Sequence, residues 1–227
     1  MPNKYLIIDF DSTLVQIECL DELFFLTLKN NPEREKIMRE FSEITNLGME
    51  GKLNFGESLK RRMAILKAGK KELDEFITIL RGHITESFWR NRGYLKERAE
   101  NIFVFSGGFN DYVMPVAREL GLRPENCRAN TFIFDKEGNI TGYDQSNFLS
   151  QTGGKIKQLK ALGLKGGIYA IGDGWTDYEM KESGAADKFI VFTENAGRKS
   201  VIDKADFTAE NFEEVIGYLE REKLGAQ

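Results

Sequence analysis

The sequence predicts an α/β fold, with a doubly wound parallel-sheet (Rossmann-like) core and an α-helical insertion after the first strand. Three observations support this prediction. An apolar run near the N-terminus, Tyr5–Ile8, is followed at once by acidic residues. Residues 20–81 then show helical spacing without strand patterns. From residue 102 onward, short apolar strands alternate with helices, which is the pattern of a largely parallel sheet.

The first strand and the insertion occupy the first part of the chain. Tyr5–Ile8 is apolar throughout, which indicates a strand buried on both faces. The helical segments that follow cover residues 20–45, 56–67 and 71–81, and glycines interrupt them. An insertion of about 70 residues has the size of a small independent unit. We therefore expect residues 1–15 and 86–227 to form the core and residues 16–85 to form the insertion.

The remaining elements belong to the core. We expect strands over residues 102–105, 168–171 and 189–192, and a hairpin over 131–143 that turns at Lys136–Asn139. Helices are expected over residues 111–120, 155–162, 178–183 and 210–222. Gly121 follows the first of these helices, where a glycine commonly ends a helix.

Composition narrows the classes of function. The chain has 227 residues, 41% of them hydrophobic, and a formal net charge of −4 with only short basic clusters, which disfavours nucleic acid as a partner. No apolar run approaches the ~18 residues of a membrane span, and no signal peptide precedes the first strand, so we expect no membrane partner. The two cysteines, Cys19 and Cys127, favour a cytoplasmic location, with a single disulfide between them left open. The one histidine, His83, is expected at the surface, and the protein is expected to be a monomer or a homodimer.

Four segments place polar residues at the ends of predicted strands or the start of a predicted helix, where open α/β sheets bind ligands. They contribute Asp9 and Asp11, then Ser106-Gly107-Gly108, then Lys155, and finally Asp173 and Asp177. Clustered carboxylates repel one another unless a cation joins them, and oxygen ligands suit Mg²⁺. A hydroxyl, glycine amides and a lysine can hold phosphate oxygens. This set suits phosphoryl transfer, with one aspartate as nucleophile and another, two residues on, as general acid and base.

Two nucleotide-binding motifs are only half present. Gly172 and Gly174 begin a dinucleotide fingerprint, but Asp177 stands where its third glycine belongs. A P-loop ending at Lys155 would need a glycine at Leu149 and a Ser or Thr at Ile156. A signalling receiver domain also uses clustered aspartates, a hydroxyl and a lysine. Receivers lack a helical insertion after the first strand, and an acid/base carboxylate would shorten the life of their phosphorylated state.

In chain order, "DFDST", "FSGG", Lys155 and "GDGWTD" resemble the four motifs of the haloacid dehalogenase superfamily, and within it the phosphoserine phosphatases. The resemblance covers nearly the whole chain. It implies a Mg²⁺-dependent phosphomonoesterase of amino-acid (serine) biosynthesis that acts through an aspartyl-phosphate, with the insertion as a cap over the substrate. The implied roles are Asp9 as nucleophile, Asp11 as general acid/base, and Ser106, Gly107 and Lys155 as phosphate ligands. Mg²⁺ would be held by Asp9, Asp173 and the backbone carbonyl of Asp11, with Asp177 and Thr176 in support. Thr176 departs from the family's usual Asn, since it keeps an oxygen but loses the amide donor.

The insertion carries two charged residues whose roles spacing leaves open. Arg62 lies within roughly 20° of Phe55 on a helical wheel, inside an apolar stripe. It is either a snorkelling edge residue or one that awaits an anion. Glu18 is similarly ambiguous, because acids are common near a helix start. The resemblance implies that Arg62 binds the substrate carboxylate, that Glu18 binds its ammonium, and that Met49 and Phe55 close over the ligand.

The expected substrate is therefore a small phosphorylated metabolite, with phosphoserine the leading candidate. Another small phosphate, such as phosphoethanolamine or a sugar phosphate, remains the alternative substrate. Transfer of the phosphoryl group to an alcohol instead of water is a further alternative. Trp89 and Trp175 are expected to be packing residues, with Trp89 between insertion and core.

Overall fold

The computed structural model describes residues 4–224. Within that range, six strands form one parallel sheet in the order β3-β2-β1-β6-β7-β8, and β4 and β5 form a separate antiparallel hairpin. The strands are β1 (Lys4–Ile8), β2 (Ile102–Phe109), β3 (Cys127–Asn130), β4 (Phe132–Phe134), β5 (Ile140–Tyr143), β6 (Gly167–Gly172), β7 (Lys188–Phe192) and β8 (Phe207–Ala209). The predicted α/β class with a largely parallel sheet is confirmed.

Helices cover both faces of the sheet and form the insertion. They are α1 (Cys19–Thr27), α2 (Arg34–Met49), α3 (Phe55–Ile65), α4 (Lys70–Leu80), α5 (Glu86–Arg90), α6 (Arg92–Glu97), α7 (Asn110–Glu119), α8 (Gly154–Leu162), α9 (Trp175–Glu182), α10 (Lys199–Ile202) and α11 (Phe212–Leu224). The first four lie between β1 and the helices that return to the core. None of the helices in the described part of the chain has both the length and the apolar character needed to cross a bilayer.

The central strand explains why the core has two apolar layers. Ile7 and Ile8 are both fully buried, and their side chains belong to different hydrophobic clusters. Successive side chains of a strand point to opposite faces, so a strand that is apolar throughout needs cover on both faces. β1 pairs in parallel with β2 and β6, which brings the carboxyl ends of these three strands side by side.

Several elements differ from the sequence prediction. The expected helix over residues 20–45 is two helices, because the chain breaks after α1 at Asn30-Asn31-Pro32 and Asn31 accepts a hydrogen bond from the amide of Glu33. β2 continues past Phe105 to Phe109, with an irregular register against β3. The short elements β3, β8, α5, α6 and α10 were not predicted, since each is too brief to show a clear period.

The expectation that Trp89 packs between insertion and core is wrong. Its side chain is 41% exposed and lies under the guanidinium of Arg92. The neighbouring Phe88 is buried instead, with its ring centroid 4.3 Å from that of Phe212 and 5.2 Å from that of Phe192. The helix α5 therefore packs on the core through Phe88.

The structure also places the two cysteines and the histidine. Cys19 and Cys127 are both buried free thiols, so the open possibility of a disulfide between them is excluded. His83 lies half-buried in a 3₁₀ turn that follows α4, where its backbone carbonyl accepts from the amide of Gln16.

The insertion is joined to the core on two sides. At its chain ends, Val15 and Ile84 form an antiparallel bridge, and the amide of Asn195 lies within hydrogen-bonding distance of carbonyls on that crossing. On the far side, the loop before α4 pairs with the hairpin tip. The amide of Ile140 donates to the carbonyl of Ala68 at 2.8 Å, and the amide of Lys70 donates to the carbonyl of Gly138 at 3.0 Å.

Candidate active site

The first acidic pair lies where β1 ends in a single wide turn, Phe10–Leu14. Asp9 begins this turn, and its Oδ1 accepts from the amide of Phe10 at 2.7 Å. Ser12 has a φ of 52°, the left-handed region that non-glycine residues rarely occupy. Such strained positions cluster at functional sites, because they persist only where surrounding contacts hold them. The turn separates the two carboxylates, so that Asp9 and Asp11 have different partners.

Lys155 lies beside the first carboxylate. Its Nζ is 2.6 Å from Oδ1 of Asp9 and 2.8 Å from Oδ1 of Asp177, and its side chain is 7% exposed. Gly154, at the start of α8, comes so close to the carbonyl of Phe148 that a Cβ there would lie 2.0 Å from its oxygen, so only glycine fits. Burial alone would lower the pKa of Lys155, but Asp177 and Asp9 together raise it. The lysine is therefore a fixed positive charge.

Three carboxylates could hold a cation. One oxygen from each of Asp9, Asp173 and Asp177 lies within 4.8 Å of the others, and all three residues are buried. Oδ1 of Asp173 has no hydrogen-bond partner within residues 4–224, which is unusual for a buried carboxylate oxygen. Burial raises the pKa of Asp173 to about 6, with the charge of Asp9 adding and that of Arg198 opposing. An all-oxygen donor set with an unpaired oxygen fits a hard divalent cation.

The two glycines of "GDG" make room for side chains. A Cβ on Gly172 would lie 2.2 Å from the carboxyl carbon of Asp177, and one on Gly174 would lie 2.9 Å from the terminal methyl of Met49. Asp177 also accepts from the amide of Gly174. Gly172 and Gly174, which resemble half of a dinucleotide fingerprint, therefore leave space for the side chains of Asp177 and Met49.

Asp11 faces the second strand end. Its Oδ1 accepts from the amide of Cys19 at 2.8 Å, and its Oδ2 lies 3.4 Å from the hydroxyl of Ser106. The Ser106 hydroxyl in turn accepts from the amide of Gly108 at 2.8 Å. Burial, and then the charge of Asp9, raise the pKa of Asp11. A carboxyl with a raised pKa can hold a proton that it later gives up, as acid/base catalysis requires.

A cleft joins these groups to the insertion. Its lining includes Asp9, Asp11, Gly107 and Lys155 from the core, together with Glu18, Met49, Phe55 and Arg62. Phe55 packs directly on the strand end, because a Cβ on Gly107 would lie 2.4 Å from its ring. Thr176 also lines the cleft, whereas Ser106 is buried beneath it. The insertion therefore covers the carboxylates from above.

Arg62 is buried in the insertion, only 7% exposed. Its Nη1 lies 3.8 Å from Oδ1 of Asp21 and donates to the hydroxyl of Thr45 at 3.3 Å. Asp21 also accepts from Ser42 and Thr45, each at 2.7 Å. The Nε of Arg62 has no hydrogen-bond partner in the described chain. A buried arginine in the cleft wall with an unused donor is suited to binding an anion.

Glu18 lies beside the acidic cluster. It accepts from the hydroxyl of Ser12 at 2.8 Å and from Nη2 of Arg198 at 2.9 Å. Burial raises the pKa of Glu18 to about 8, with the charges of Asp11 and Asp173 adding. A cationic ligand group would stabilise its charged form.

Arg198 was missed in the sequence analysis. Its Nε donates to Oδ2 of Asp173 at 2.6 Å, and it joins Glu18 to the acidic cluster. It lies on the loop that follows β7, the next strand end along the same edge of the sheet. Its place after a strand end is the one signal that it shares with the aspartates.

Trp175 is half-buried and packs on the insertion. A Cβ on Gly51 would lie 2.6 Å from its ring, and its Nε1 donates to Glu179 at 3.0 Å. Gly51 has a φ of +74°, so both its backbone and its contact favour glycine.

A six-stranded parallel sheet, a helical insertion after β1 and an acidic cluster with a buried lysine together define a class of hydrolase. The chain belongs to the haloacid dehalogenase-like hydrolases, whose family model matches residues 6–182. Within that family, its likeness is to phosphoserine phosphatases. It is 32% identical over 216 residues to the phosphoserine phosphatase of Bos taurus, covering 93% of this chain and 91% of that protein.

Solved structures show the same likeness to phosphoserine phosphatases. A phosphoserine phosphohydrolase-like protein from Francisella tularensis superposes with a TM-score of 0.86 and 33% identity, over 95% of this chain and 99% of that one. A structure described as a phospho-aspartyl intermediate analogue of phosphoserine phosphatase gives a TM-score of 0.76 and 28% identity, over 96% and 99%. The predicted superfamily and the predicted class of enzyme, a phosphomonoester hydrolase, are confirmed.

Proposed function

We propose that this chain hydrolyses O-phosphoserine to serine and phosphate, with Mg²⁺ as cofactor and residues 16–85 as a cap over the substrate. The observation that carries the proposal is that Arg62, with an unpaired Nε, and Glu18 line the same cleft as Asp9. An α-amino acid phosphate offers a carboxylate to the first, an ammonium to the second and a phosphoryl group to the third. The similarity to phosphoserine phosphatases supports the same assignment.

The chemistry follows from the positions of the two leading aspartates. An oxygen of Asp9 attacks the phosphorus, and the bond from phosphorus to the serine oxygen breaks. Asp11 gives its proton to that leaving oxygen, so that serine departs as an alcohol. Asp11 then takes a proton from water as the water oxygen attacks the aspartyl-phosphate, which releases phosphate and restores Asp9. A relative described as a phospho-aspartyl intermediate analogue supports this order.

The other residues hold and neutralise the phosphoryl group. We assign Lys155, the hydroxyl of Ser106 and the backbone at Gly107 to its oxygens, because they border Asp9 and Asp11. Mg²⁺ would be held by Asp9, Asp173 and the backbone carbonyl of Asp11, and when bound it neutralises charge that develops on the phosphoryl oxygens. Asp177 would keep Lys155 in place, and Thr176 lines the cleft beside it. Arg198 would exchange its contact with Asp173 for one with the substrate or solvent when a cation binds.

The insertion would supply recognition. Met49 and Phe55 pack on glycines at two strand ends, which lets them close over a ligand and exclude water. Arg62, on α3, and Glu18, directly before α1, both line the cleft. An enzyme that recognised only the phosphoryl group would have no use for a guanidinium and a second carboxyl group in the same cleft.

A substrate panel tests the proposal. Initial rates with Mg²⁺ should be compared for phosphoserine, phosphoethanolamine, a sugar phosphate and p-nitrophenyl phosphate. Phosphoserine should have the highest kcat/KM, because it alone presents both a carboxylate and an ammonium. Equal efficiency on phosphoethanolamine or the sugar phosphate would overturn the substrate assignment and favour a general small-phosphate phosphatase of the same fold. Production of a phosphorylated alcohol in the presence of glycerol would indicate phosphotransfer.

A further inference from the structure

A buried tyrosine hydroxyl has no role in the chemistry above. Tyr112 lies on α7, directly after the Ser106–Phe109 strand end, and its side chain is fully buried. Its O–H has no hydrogen-bond acceptor in the described part of the chain. Leaving a buried hydroxyl unpaired is destabilising, so a native hydroxyl in this state calls for a partner that binds from outside the chain.

The ring of Tyr112 is held rigidly. It meets the ring of Phe76 edge-on, with centroids 5.5 Å apart, and lies 6.2 Å from that of Phe109 and 6.3 Å from that of Phe10. Phe76 belongs to the insertion and the other two belong to the core. Apolar rings would hold a phenylalanine equally well, so packing does not explain the hydroxyl.

The residues around this hydroxyl belong to the catalytic cleft. Tyr112 contributes to the cleft lining together with Arg62, Asp11 and Gly108. A Cβ on Gly108 would lie 2.5 Å from Oη, so the glycine leaves the space that the hydroxyl occupies. Burial raises the pKa of Tyr112 well above its ordinary value, with the charge of Asp11 adding and the backbone of Phe109 and Arg62 opposing. The phenol is therefore neutral and keeps its proton.

We propose that the Tyr112 hydroxyl is a specificity-determining contact, which donates a hydrogen bond to the substrate carboxylate beside Arg62. The inference rests on the proposed function, because it needs a substrate with a carboxylate. A neutral hydroxyl next to an arginine can donate its proton to an anion, and the positive charge of Arg62 disfavours an ammonium at that position. The carboxylate would then receive two donors of different kinds, the Nε of Arg62 and the Oη of Tyr112, from the insertion and the core respectively. The core as well as the cap would thus distinguish amino-acid phosphates from other phosphomonoesters.

Tyr112→Phe is the direct test, because it removes one oxygen and keeps the ring. Its kcat/KM should be measured for phosphoserine and for phosphoethanolamine, which lacks the carboxylate. We expect a loss of at least about tenfold on phosphoserine, the effect of one hydrogen bond to a charged group. Phosphoethanolamine should be unaffected. Tyr94→Phe is the matched control, since Tyr94 is a half-buried tyrosine that packs on Phe212 away from the cleft.

Thermal unfolding provides a second readout. If the hydroxyl is unpaired in the free protein, Tyr112→Phe should have an unchanged or raised Tm, whereas a structural hydroxyl would lower it. Phosphoserine binding in an Asp9→Asn background, measured by titration calorimetry, should weaken by a similar factor when Tyr112→Phe is added. A lowered Tm with unchanged discrimination, or an equal loss on both substrates, would overturn the inference. A wild-type enzyme that shows no preference for phosphoserine over phosphoethanolamine would instead remove the proposed function on which the inference rests.

Discussion

The guanidinium of Arg62 lies 3.8 Å from the carboxylate of Asp21, on a different helix of the insertion. Thr45, on a third helix, bonds to both of them. Three helices therefore meet at one buried charge network, and they hold the arginine with its Nε unpaired. This rigidity matters because a preorganised arginine loses little side-chain entropy when it binds a carboxylate.

Arg62→Ala should lower kcat/KM for phosphoserine by at least about ten- to a hundredfold, the worth of a charge-assisted contact. Hydrolysis of p-nitrophenyl phosphate should be nearly unaffected, because that compound has no carboxylate. Arg61→Ala is the control, since Arg61 is exposed and pairs with Glu57 one helical turn away. An equal fall on both substrates in a folded protein would contradict the assignment of Arg62.

Asp9→Asn should keep the fold and lose turnover by several orders of magnitude, because an amide cannot form the aspartyl-phosphate. Near-ultraviolet circular dichroism would check the fold. Rapid acid quench of the wild-type enzyme with ³²P-labelled substrate, followed by peptide mapping, should place the label on Asp9. Label on Ser106 would instead place the nucleophile on β2 and contradict the assignment of Asp9.

Chelation should abolish activity, and Mg²⁺ should restore it. Ca²⁺ should substitute poorly, because it accepts more ligands and a looser geometry. Asp173→Asn should remove most of the Mg²⁺-induced rise in Tm, whereas Asp187→Asn, outside the acidic cluster, should leave it unchanged. Full activity in excess chelator would exclude a metal-dependent reaction.

The acidic cluster should make stability depend on pH. Burial, followed by Asp11 and Asp173, raises the pKa of Glu18 from 4.5 to about 8. Between these values the folded protein holds a proton that the unfolded chain releases, so the contribution of Glu18 is full below the lower value and is lost as pH rises to the upper one. In chelator, Glu18→Gln should therefore flatten the fall in unfolding free energy over this interval, by at most about 1.4 kcal/mol per pH unit. Urea unfolding at several pH values measures the slope, and identical slopes for both proteins would contradict the raised pKa.

Gly107→Ala should raise KM, because its Cβ would lie 2.4 Å from the Phe55 ring and displace it from the strand end. Activity on p-nitrophenyl phosphate should fall as well, since the proposed closure by Phe55 would act on any substrate. Gly93→Ala is the control, because a Cβ on Gly93 meets nothing within 4 Å. If Gly107→Ala had wild-type kinetics on both substrates, Phe55 would have no part in closure.

The sequence predicted the strands that are buried on both faces and the polar residues that follow them. Burial and charge occur there in one local pattern, so Asp9, Ser106 and Asp173 stood out at once. The polar partners of the insertion were harder to predict. The contacts of Arg62 with Asp21 and Thr45 join residues that are distant in sequence and have no shared period.

Two other residues of the cleft region, Arg198 and Tyr112, could not be singled out from the sequence. Arg198 follows a strand end, as the aspartates do, but a single arginine in a polar loop resembles an ordinary surface residue. Tyr112 lies in an amphipathic helix, where an aromatic side chain indicates only a core position. Its importance comes from one oxygen atom, and a hydrophobic pattern carries no information about where that atom points.

The pairing of Ala68 and Lys70 with the hairpin tip has a consequence for hybrid enzymes. Both bonds join backbone groups, so they depend on the path of the chain and not on which side chains it carries. A cap transplanted from a relative could therefore dock on this hairpin despite extensive sequence divergence, provided that the loop before α4 keeps its length. Insertions or deletions in that loop would separate the two partners unless the hairpin were exchanged together with the cap. In hybrid enzymes of this family, residues 66–70 and 135–140 should accordingly come from the same parent.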